Sequence, residues 1–256
     1  MKKLMLFAMV ASLLFFAGCE KEKDFPSGVG LFSVSEGKQV RFASGNLEYD
    51  SINGYRFAAH QYDYGGLFGW GTGSNPTLTF SFVADYPSFF GWGTGSNPTL
   101  TSSFVADYPS FDDWGNHIAG GWRTLSHEEW EFLLFSRAYA GDRRGAATVC
   151  GVHGMVLLPD SWSGGTFHAG FNRWNTNVYD ASSWADMEAA GAVFLPAAGG
   201  RYGTELRLVG AVGDYWSSTP ANEYYAYGMY FDDDDVGYNG NDYRYIGRSV
   251  RLVQDY

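Results

Sequence analysis

Apolar and polar residues alternate along the segment that begins near residue 30. Around Phe32 and again around Val40, every second side chain is apolar, and a period of two predicts β-strands. Residues 47–49 and 55–57 have the same character and flank a turn that contains Asn53-Gly54. Because an Asn-Gly pair accepts positive φ angles, this segment predicts a β-hairpin.

A different pattern follows Ser126. Glu129 lies three residues later, which is the signature of a capping box. Trp130, Leu133 and Leu134 then recur at helical spacing. We therefore predict a helix from about residue 127 to 137.

A second short helix is predicted at Ser182–Ala190. Trp184 and Met187 lie on one face of it, and Gly191 provides a C-terminal stop signal.

The remaining apolar runs predict strands. They are residues 149–158 around two glycines, 192–196, the aromatic run 225–231, and the alternating run 249–253. Turn-rich segments full of Asp, Asn, Gly and Tyr separate the last two runs. The expected fold class is therefore α+β, with twisted antiparallel strands, two short helices and long loops.

Residues 68–89 and 90–111 form a tandem repeat of 22 residues. The copies differ only at Phe80 versus Ser102. Two copies are too few for a solenoid, and an added loop segment costs little closure entropy. We interpret the repeat as a duplicated surface loop, with a bivalent ligand-binding arm as the alternative.

Charge narrows the class of partner. Lys and Arg number 17 and Asp and Glu number 28, which gives a net charge of −11. This balance argues against nucleic acid and against an anionic membrane surface, since both would repel the protein at long range. With 34 Gly and 18% aromatic residues, the chain is expected to be rich in loops, which excludes a helical bundle.

The N-terminus resembles a bacterial lipoprotein signal. Lys2 and Lys3 precede an uncharged run that ends at Ala17-Gly18-Cys19, and this run is too short to span a bilayer. We predict a signal peptide at residues 1–18 and lipidation at Cys19, which makes the membrane a partner through the lipid. A plain secretory signal is the alternative.

The expected domain organisation is a lipidated tether at residues 19–29 and one domain at 30–256. The acidic stretch at 20–24 resembles signals that export some lipoproteins of the Bacteroidetes to the outer face of the outer membrane; a solvated spacer is the alternative. We predict a monomeric outer-membrane lipoprotein of the cell envelope, and its exposure on the cell surface is left open.

Three segments resemble formylglycine-generating, sulfatase-modifying proteins. They are Gly-Trp-Arg-Thr-Leu-Ser-His-Glu-Glu-Trp-Glu-Phe (121–132), Gly-Val-His-Gly-Met-Val (151–156) and Gly-Arg-Ser-Val-Arg-Leu-Val (247–253). The resemblance implies a C-type-lectin-like fold over residues from about 30 to 253. The chain also resembles secreted Bacteroidetes lipoproteins, and some proteins of this general type are variable targets of diversity-generating retroelements.

Catalysis is not expected. Formylglycine-generating enzymes use a pair of cysteines, whereas beyond Cys19 this chain has only Cys150. Its apolar strand context predicts a buried, inert thiol, and rapid alkylation of the folded protein would contradict that prediction. The histidines show no metal-binding spacing, and none is expected to be catalytic; they are His60, His117, His127, His153 and His168.

No cofactor and no metal site are predicted. Asp232–Asp235 could ligate calcium through carboxylate oxygens, but the Gly and Glu positions of an EF-hand loop are missing. A solvated acidic turn is the favoured interpretation.

The strongest functional signal is the composition of the C-terminal segment. Tyrosine offers contact area with few rotors to freeze, and Asn and Asp offer adaptable hydrogen bonds, as in antibody paratopes. The candidate ligand-binding residues are Tyr224, Tyr225, Tyr227, Met229, Asp232, Asp233, Asp234, Asp235, Tyr238, Asn239, Asn241, Asp242, Tyr243 and Tyr245.

We therefore expect a non-catalytic lipoprotein that binds a protein or glycan ligand through this segment, with retroelement diversification as a further hypothesis. A structural envelope component and an enzyme on the same fold are the alternatives.

Overall fold

The computed structural model describes residues 30–73, 111–203 and 205–256, which form a mixed α+β fold. Most of the regular elements in the described residues are strands. Two short α-helices accompany them, and the strands form no closed barrel. The strands are β1 Phe32–Ser35, β2 Lys38–Phe42, β3 Leu47–Asp50, β4 Gly54–Phe57, β5 Arg144–Val149, β6 Val152–Leu157, β7 Val178–Tyr179, β8 Val193–Pro196, β9 Gly200–Tyr202, β10 Glu205–Arg207, β11 Gly213–Pro220, β12 Tyr225–Phe231, β13 Val236–Tyr243 and β14 Val253–Asp255. The helices are α1 His127–Glu131 and α2 Ala181–Ala189.

The strands form five small sheets, with the orders β1-β2-β14, β3-β4, β7-β5-β6-β8, β9-β10 and β11-β12-β13. Among the strand pairs of the described residues, only β5–β7 is parallel. In the first sheet Val253 of β14 pairs with Phe42 of β2, so the start and the end of the described chain close on each other. The predicted β3–β4 hairpin is confirmed, with Leu47 opposite Phe57.

Three apolar clusters fill the spaces between these elements. The largest lies under β1, β2 and α1 and contains Phe32, Trp130 and Leu133. Trp216 belongs to the second cluster and Trp184 to the third. Full burial of such side chains contributes about 1.5 to 3 kcal/mol each relative to exposure, so these clusters stabilise a fold with little regular helix.

Helix α1 begins at the predicted residue and is followed directly by a π-helical segment. The Ser126 side chain accepts from the Glu129 N–H, and the Glu129 side chain accepts from the Ser126 N–H, so the capping box is present. The α-helix stops at Glu131, and Phe132–Ser136 forms a π-turn closed by a bond from the Arg137 N–H to the Phe132 oxygen. Together the two segments are helical from His127 to Ser136, so the predicted helix from about residue 127 to 137 is confirmed, although only its first five residues are α-helical.

Residues 149–158 do not form the single strand that was predicted, although Val152–Leu157 lies in β6. Val149 ends β5 and pairs with Val152, the first residue of β6. Cys150 and Gly151 make the two-residue turn between them, with φ angles of 49° and 84°. Two positive φ angles define the hairpin turn whose twist suits antiparallel strands. The turn places Cys150 at the surface, so the predicted burial of its thiol is wrong.

The other predicted elements are confirmed with small shifts. Helix α2 is capped by Asp180 and buries Trp184 and Met187, and Gly191 follows it with a φ of 92°. The exception is the strand predicted at 249–253, whose bounds are wrong: Ser249 makes only an isolated bridge to Tyr215, and β14 is Val253–Asp255. The turn-rich segment after Asp235 contains a regular strand, β13, which the sequence analysis did not predict.

The ends of the duplicated segment meet at its base. The rings of Trp70 in the first copy and Phe111 at the end of the second lie 4.9 Å apart, and the Gly73 N–H donates to the Asp112 oxygen at 3.1 Å. The rest of the repeat lies outside the described residues, as do the predicted signal peptide and the tether with Cys19. No helix in the described ranges is long and apolar enough to cross a membrane.

Candidate binding face

Strands β12 and β13 bring several of the predicted tyrosines onto one surface. Tyr225 lies opposite Tyr243, and Tyr227 lies opposite Asn241, and directly opposite residues point to the same side of a sheet. The rings of Tyr225 and Tyr243 are 4.4 Å apart, and Tyr243 stacks on Tyr245 at 5.0 Å. The hydrogen bond between the hydroxyls of Tyr225 and Tyr243 raises the pKa of Tyr225. We call Tyr225, Tyr227, Asn241 and Tyr243 the tyrosine face; Tyr224 and Asn239 lie close to it in the chain.

A row of aromatic rings joins the tyrosine face to helix α1. We call Tyr227, His127, Tyr238 and Phe135 the aromatic row. His127, the first residue of α1, stacks on Tyr227 with ring centroids 4.1 Å apart, and Tyr238 lies 5.2 Å from it on the other strand. The next contact, from Tyr238 to Phe135, measures 5.3 Å. The Thr219 hydroxyl fixes the start of the helix by accepting from the His127 N–H at 3.0 Å. The sequence analysis missed His127 and Phe135, because these contacts join residues about a hundred positions apart.

The predicted ligand-binding residues differ in exposure. Tyr224, Asn239 and Asn241 are exposed, whereas Tyr225, Tyr227 and Tyr243 are half-buried. Met229 is fully buried in the largest core cluster, since it faces the interior on β12. Its assignment as a ligand-binding residue is therefore corrected. Tyr245 is 9% exposed and supports Tyr243 from below.

Asp242 points to the opposite side of the sheet from the tyrosine face. Its carboxylate accepts from Arg248 at 3.0 Å and from the Tyr202 hydroxyl at 3.3 Å. Arg248 lies over the ring of Trp216 and 3.7 Å from Asp214, whose pKa is raised by burial. These contacts correct the placement of Asp242, which helps hold the sheet onto the second core cluster.

The Asp-rich run forms the turn between β12 and β13. Oδ1 of Asp232 accepts from the N–H groups of Asp234 and Asp235 at 3.1 and 2.8 Å, which is how an Asp side chain stabilises a turn. One carboxylate oxygen each from Asp232, Asp233 and Asp234 lies within 4.8 Å of the others. Their mutual proximity raises the pKa of Asp234. Calcium binding by this turn stays an untested alternative.

The histidines lie in different elements. His60 stacks on Tyr62 in the loop after β4, His153 of β6 donates from Nδ1 to the Gly210 oxygen at 2.8 Å, and His127 belongs to the aromatic row. Within the described ranges, the acidic turn is the only group of three or more His, Cys, Asp or Glu side chains close enough to hold one ion.

No family model, no curated protein and no solved structure matches this chain. The described residues form a mixed α+β fold, and the C-type-lectin-like assignment belongs to the proposed function.

Proposed function

We propose that this protein is a non-catalytic lipoprotein of the cell envelope that binds a protein or glycan ligand through the tyrosine face. In this proposal the domain has a C-type-lectin-like fold and is anchored to the outer membrane by lipid on Cys19. Retroelement diversification of the C-terminal segment is part of the same hypothesis.

The arrangement of the tyrosines carries the proposal. Tyr225 and Tyr243 stack on each other, and Tyr227 is held by His127, so these side chains are ordered before any ligand arrives. A side chain that is already ordered loses less entropy on binding. Exposed Asn241, which lies opposite Tyr227, adds a hydrogen-bonding group beside them, and this mixture of residues is typical of a paratope.

The non-catalytic part of the proposal rests on cysteine content. The enzymes that the chain resembles need two cysteines, and beyond Cys19 only Cys150 is present. Because Cys150 is exposed, burial is no longer an argument against the enzyme alternative, but the second cysteine is still missing. A structural envelope component is the remaining alternative.

The test is binding to two arrays, one of glycans and one of purified surface proteins from the same organism. Tyr243→Ala and Asn241→Arg should abolish the binding that the wild type shows. Tyr256→Ala removes an exposed tyrosine from the chain terminus and serves as the matched control, which should bind normally. Equal binding by all variants would place the ligand site elsewhere and overturn the proposal.

The coding DNA and its flanks provide a separate test of diversification. Substitutions confined to adenines of a nearby template copy should fall on exposed positions such as Tyr224, Asn239 and Asn241. An invariant locus without a template would remove diversification and leave the binding proposal intact.

A further inference from the structure

Two arginines pair with one carboxylate near the aromatic row, and a third arginine is next to one of them in the chain. Arg137 and Arg143 both donate to Oδ1 of Asp160, at 3.0 and 3.4 Å, and Arg144 follows directly in the chain. Burial lowers the pKa of Arg137 to about 10, and repulsion by the positive charges of Arg143 and Arg144 adds to this decrease. In a chain with a net charge of −11, these four residues form a local excess of positive charge.

Arg144 is the member of this group without an ionic partner. No described carboxylate lies within 4.0 Å of its guanidinium, and burial alone lowers its pKa. Its Nη1 atom is enclosed and has no hydrogen-bond acceptor among the described residues. A partly buried charge without a partner costs folding free energy, so the folded domain by itself leaves Arg144 uncompensated.

The surface around Arg144 is aromatic and exposed. Its guanidinium lies 4.4 Å above the ring of Phe135, which is 43% exposed. Arg143 lies 5.4 Å above the ring of Tyr139, which is 70% exposed. We call Phe135, Tyr139, Arg143 and Arg144 the arginine corner. Through the contact between Phe135 and Tyr238, the arginine corner continues the aromatic row that leads to the tyrosine face.

We propose that the arginine corner receives an Asp or Glu side chain of a protein partner, whose adjoining surface packs on the tyrosine face. This inference rests on the proposed function and names the class of its ligand. A guanidinium donates charge-assisted hydrogen bonds to a carboxylate, and the local charge excess complements an acidic group.

The aromatic side chains favour a protein over a glycan. Stacking covers one face of the ring of Tyr227, against His127, and one face of the ring of Tyr243, against Tyr245, which reduces the open ring surface on which a sugar could stack. Tyr and Arg are also the residues enriched at the energetic centres of protein interfaces.

The binding test uses a displayed library of random peptides selected on the full mature chain. Selected peptides should carry an Asp or Glu, and their affinity should fall about ten- to a hundredfold for Arg144→Gln. Replacing the acidic residue of the peptide by its amide should weaken binding to the wild type but not to Arg144→Gln. Arg56→Gln, on the β3–β4 hairpin, is the matched control and should bind as the wild type does.

Additive losses in this double-mutant cycle would overturn the proposal. Selected peptides that bind Arg144→Gln as tightly as the wild type would do the same. Binding by glycans alone, with Arg144 required, would also overturn it, because the class of partner would be wrong. If Tyr243→Ala leaves all selected peptides bound while Arg144→Gln does not, the tyrosine face fails instead and the arginine corner stands alone.

Stability gives an independent readout without any ligand. Arg144→Met keeps the contact with Phe135 and removes the unpaired charge, so its melting temperature should equal or exceed that of the wild type. Arg137→Met removes a charge that is paired with Asp160 and should lower the melting temperature. A clear loss of stability in Arg144→Met would show that Arg144 serves the fold, which contradicts the proposal.

Discussion

The ring of His127 stacks on the ring of Tyr227 with centroids 4.1 Å apart and planes 24° apart. One residue opens a helix and the other lies in the middle of β12, so this contact ties α1 to the strand pair that carries the tyrosine face. Tyr238 of β13 approaches the same imidazole from the neighbouring strand. The orientation of the candidate face therefore depends on a residue outside the C-terminal segment.

Replacing His127 by alanine should lower the free energy of unfolding by about 1 to 3 kcal/mol, since two aromatic contacts are lost. The effect is measured by urea denaturation. His168→Ala is the control: this histidine is exposed, and its replacement should change stability little. Equal effects of the two substitutions would contradict a stabilising role for the stack.

Asp160 should make stability depend on acid. Hydrogen bonds from Ser33 and Gln39 and the charge of Arg137 hold the pKa of Asp160 below its ordinary value of 3.8. A carboxylate with a lowered pKa stabilises the fold above its unfolded pKa, and this contribution is lost as the pH falls through the folded one. The wild type should therefore lose stability between about pH 4 and pH 2.

Asp160→Asn tests this at each pH by urea denaturation. At pH 7 it should be less stable by about 3 kcal/mol, because it leaves buried Arg137 without its partner. Its stability should then change less than that of the wild type on acidification. Asp142→Asn, at an exposed position, should keep the wild-type profile. Parallel pH profiles for wild type and Asp160→Asn would contradict the prediction.

The thiol of Cys150 should react in the folded protein, because the two-residue turn exposes it. Labelling by a maleimide should be nearly as fast in native buffer as in denaturant, and Cys150→Ser should retain the melting temperature. Cys19→Ala provides the background in which only one thiol is counted. More than tenfold protection in native buffer would show that the thiol is enclosed.

Gly154 of β6 should not tolerate a side chain. A Cβ atom there would lie 2.4 Å from the Leu195 oxygen and 2.4 Å from the Phe194 ring. Gly154→Ala should cost about 1 to 3 kcal/mol of stability, as overpacking of a core does. Gly141→Ala has nothing within 4 Å of the new carbon and is the matched control. A melting temperature equal to the control would show that β6 and β8 can separate without cost.

Deletion of residues 90–111 should leave the fold and binding intact. Phe89 then precedes Asp112 in the same local sequence that surrounds Phe111, so the contact with Trp70 can be restored. Shortening the loop changes its closure entropy by less than about 1 kcal/mol. The melting temperature and near-UV spectrum should therefore stay close to those of the wild type. Loss of assembly or of cooperative unfolding would favour the structural alternative.

Local signals in the chain predicted the elements whose causes are local. Ser126 and Glu129 predicted the start of α1, Asn53-Gly54 predicted a hairpin, and Trp184 with Met187 predicted the buried face of α2. Each depends on residues within a few positions of one another. The same kind of signal failed at Cys150, where an apolar run concealed a turn with two positive φ angles.

The composition of the C-terminal segment marked Tyr225 and Tyr227 as candidates and pointed to binding. Tertiary structure decided which side chains face outward: Met229 turns into the core, and Asp242 turns to Arg248. It also brought His127, Phe135 and Arg144 to the edge of the tyrosine face. The sequence by itself determined local backbone geometry and side-chain chemistry, because both arise between near neighbours. Only the fold decided which of these groups meet. The contacts of His127 with Tyr227 and of Phe135 with Tyr238 join residues about a hundred positions apart, and no short-range pattern encodes them.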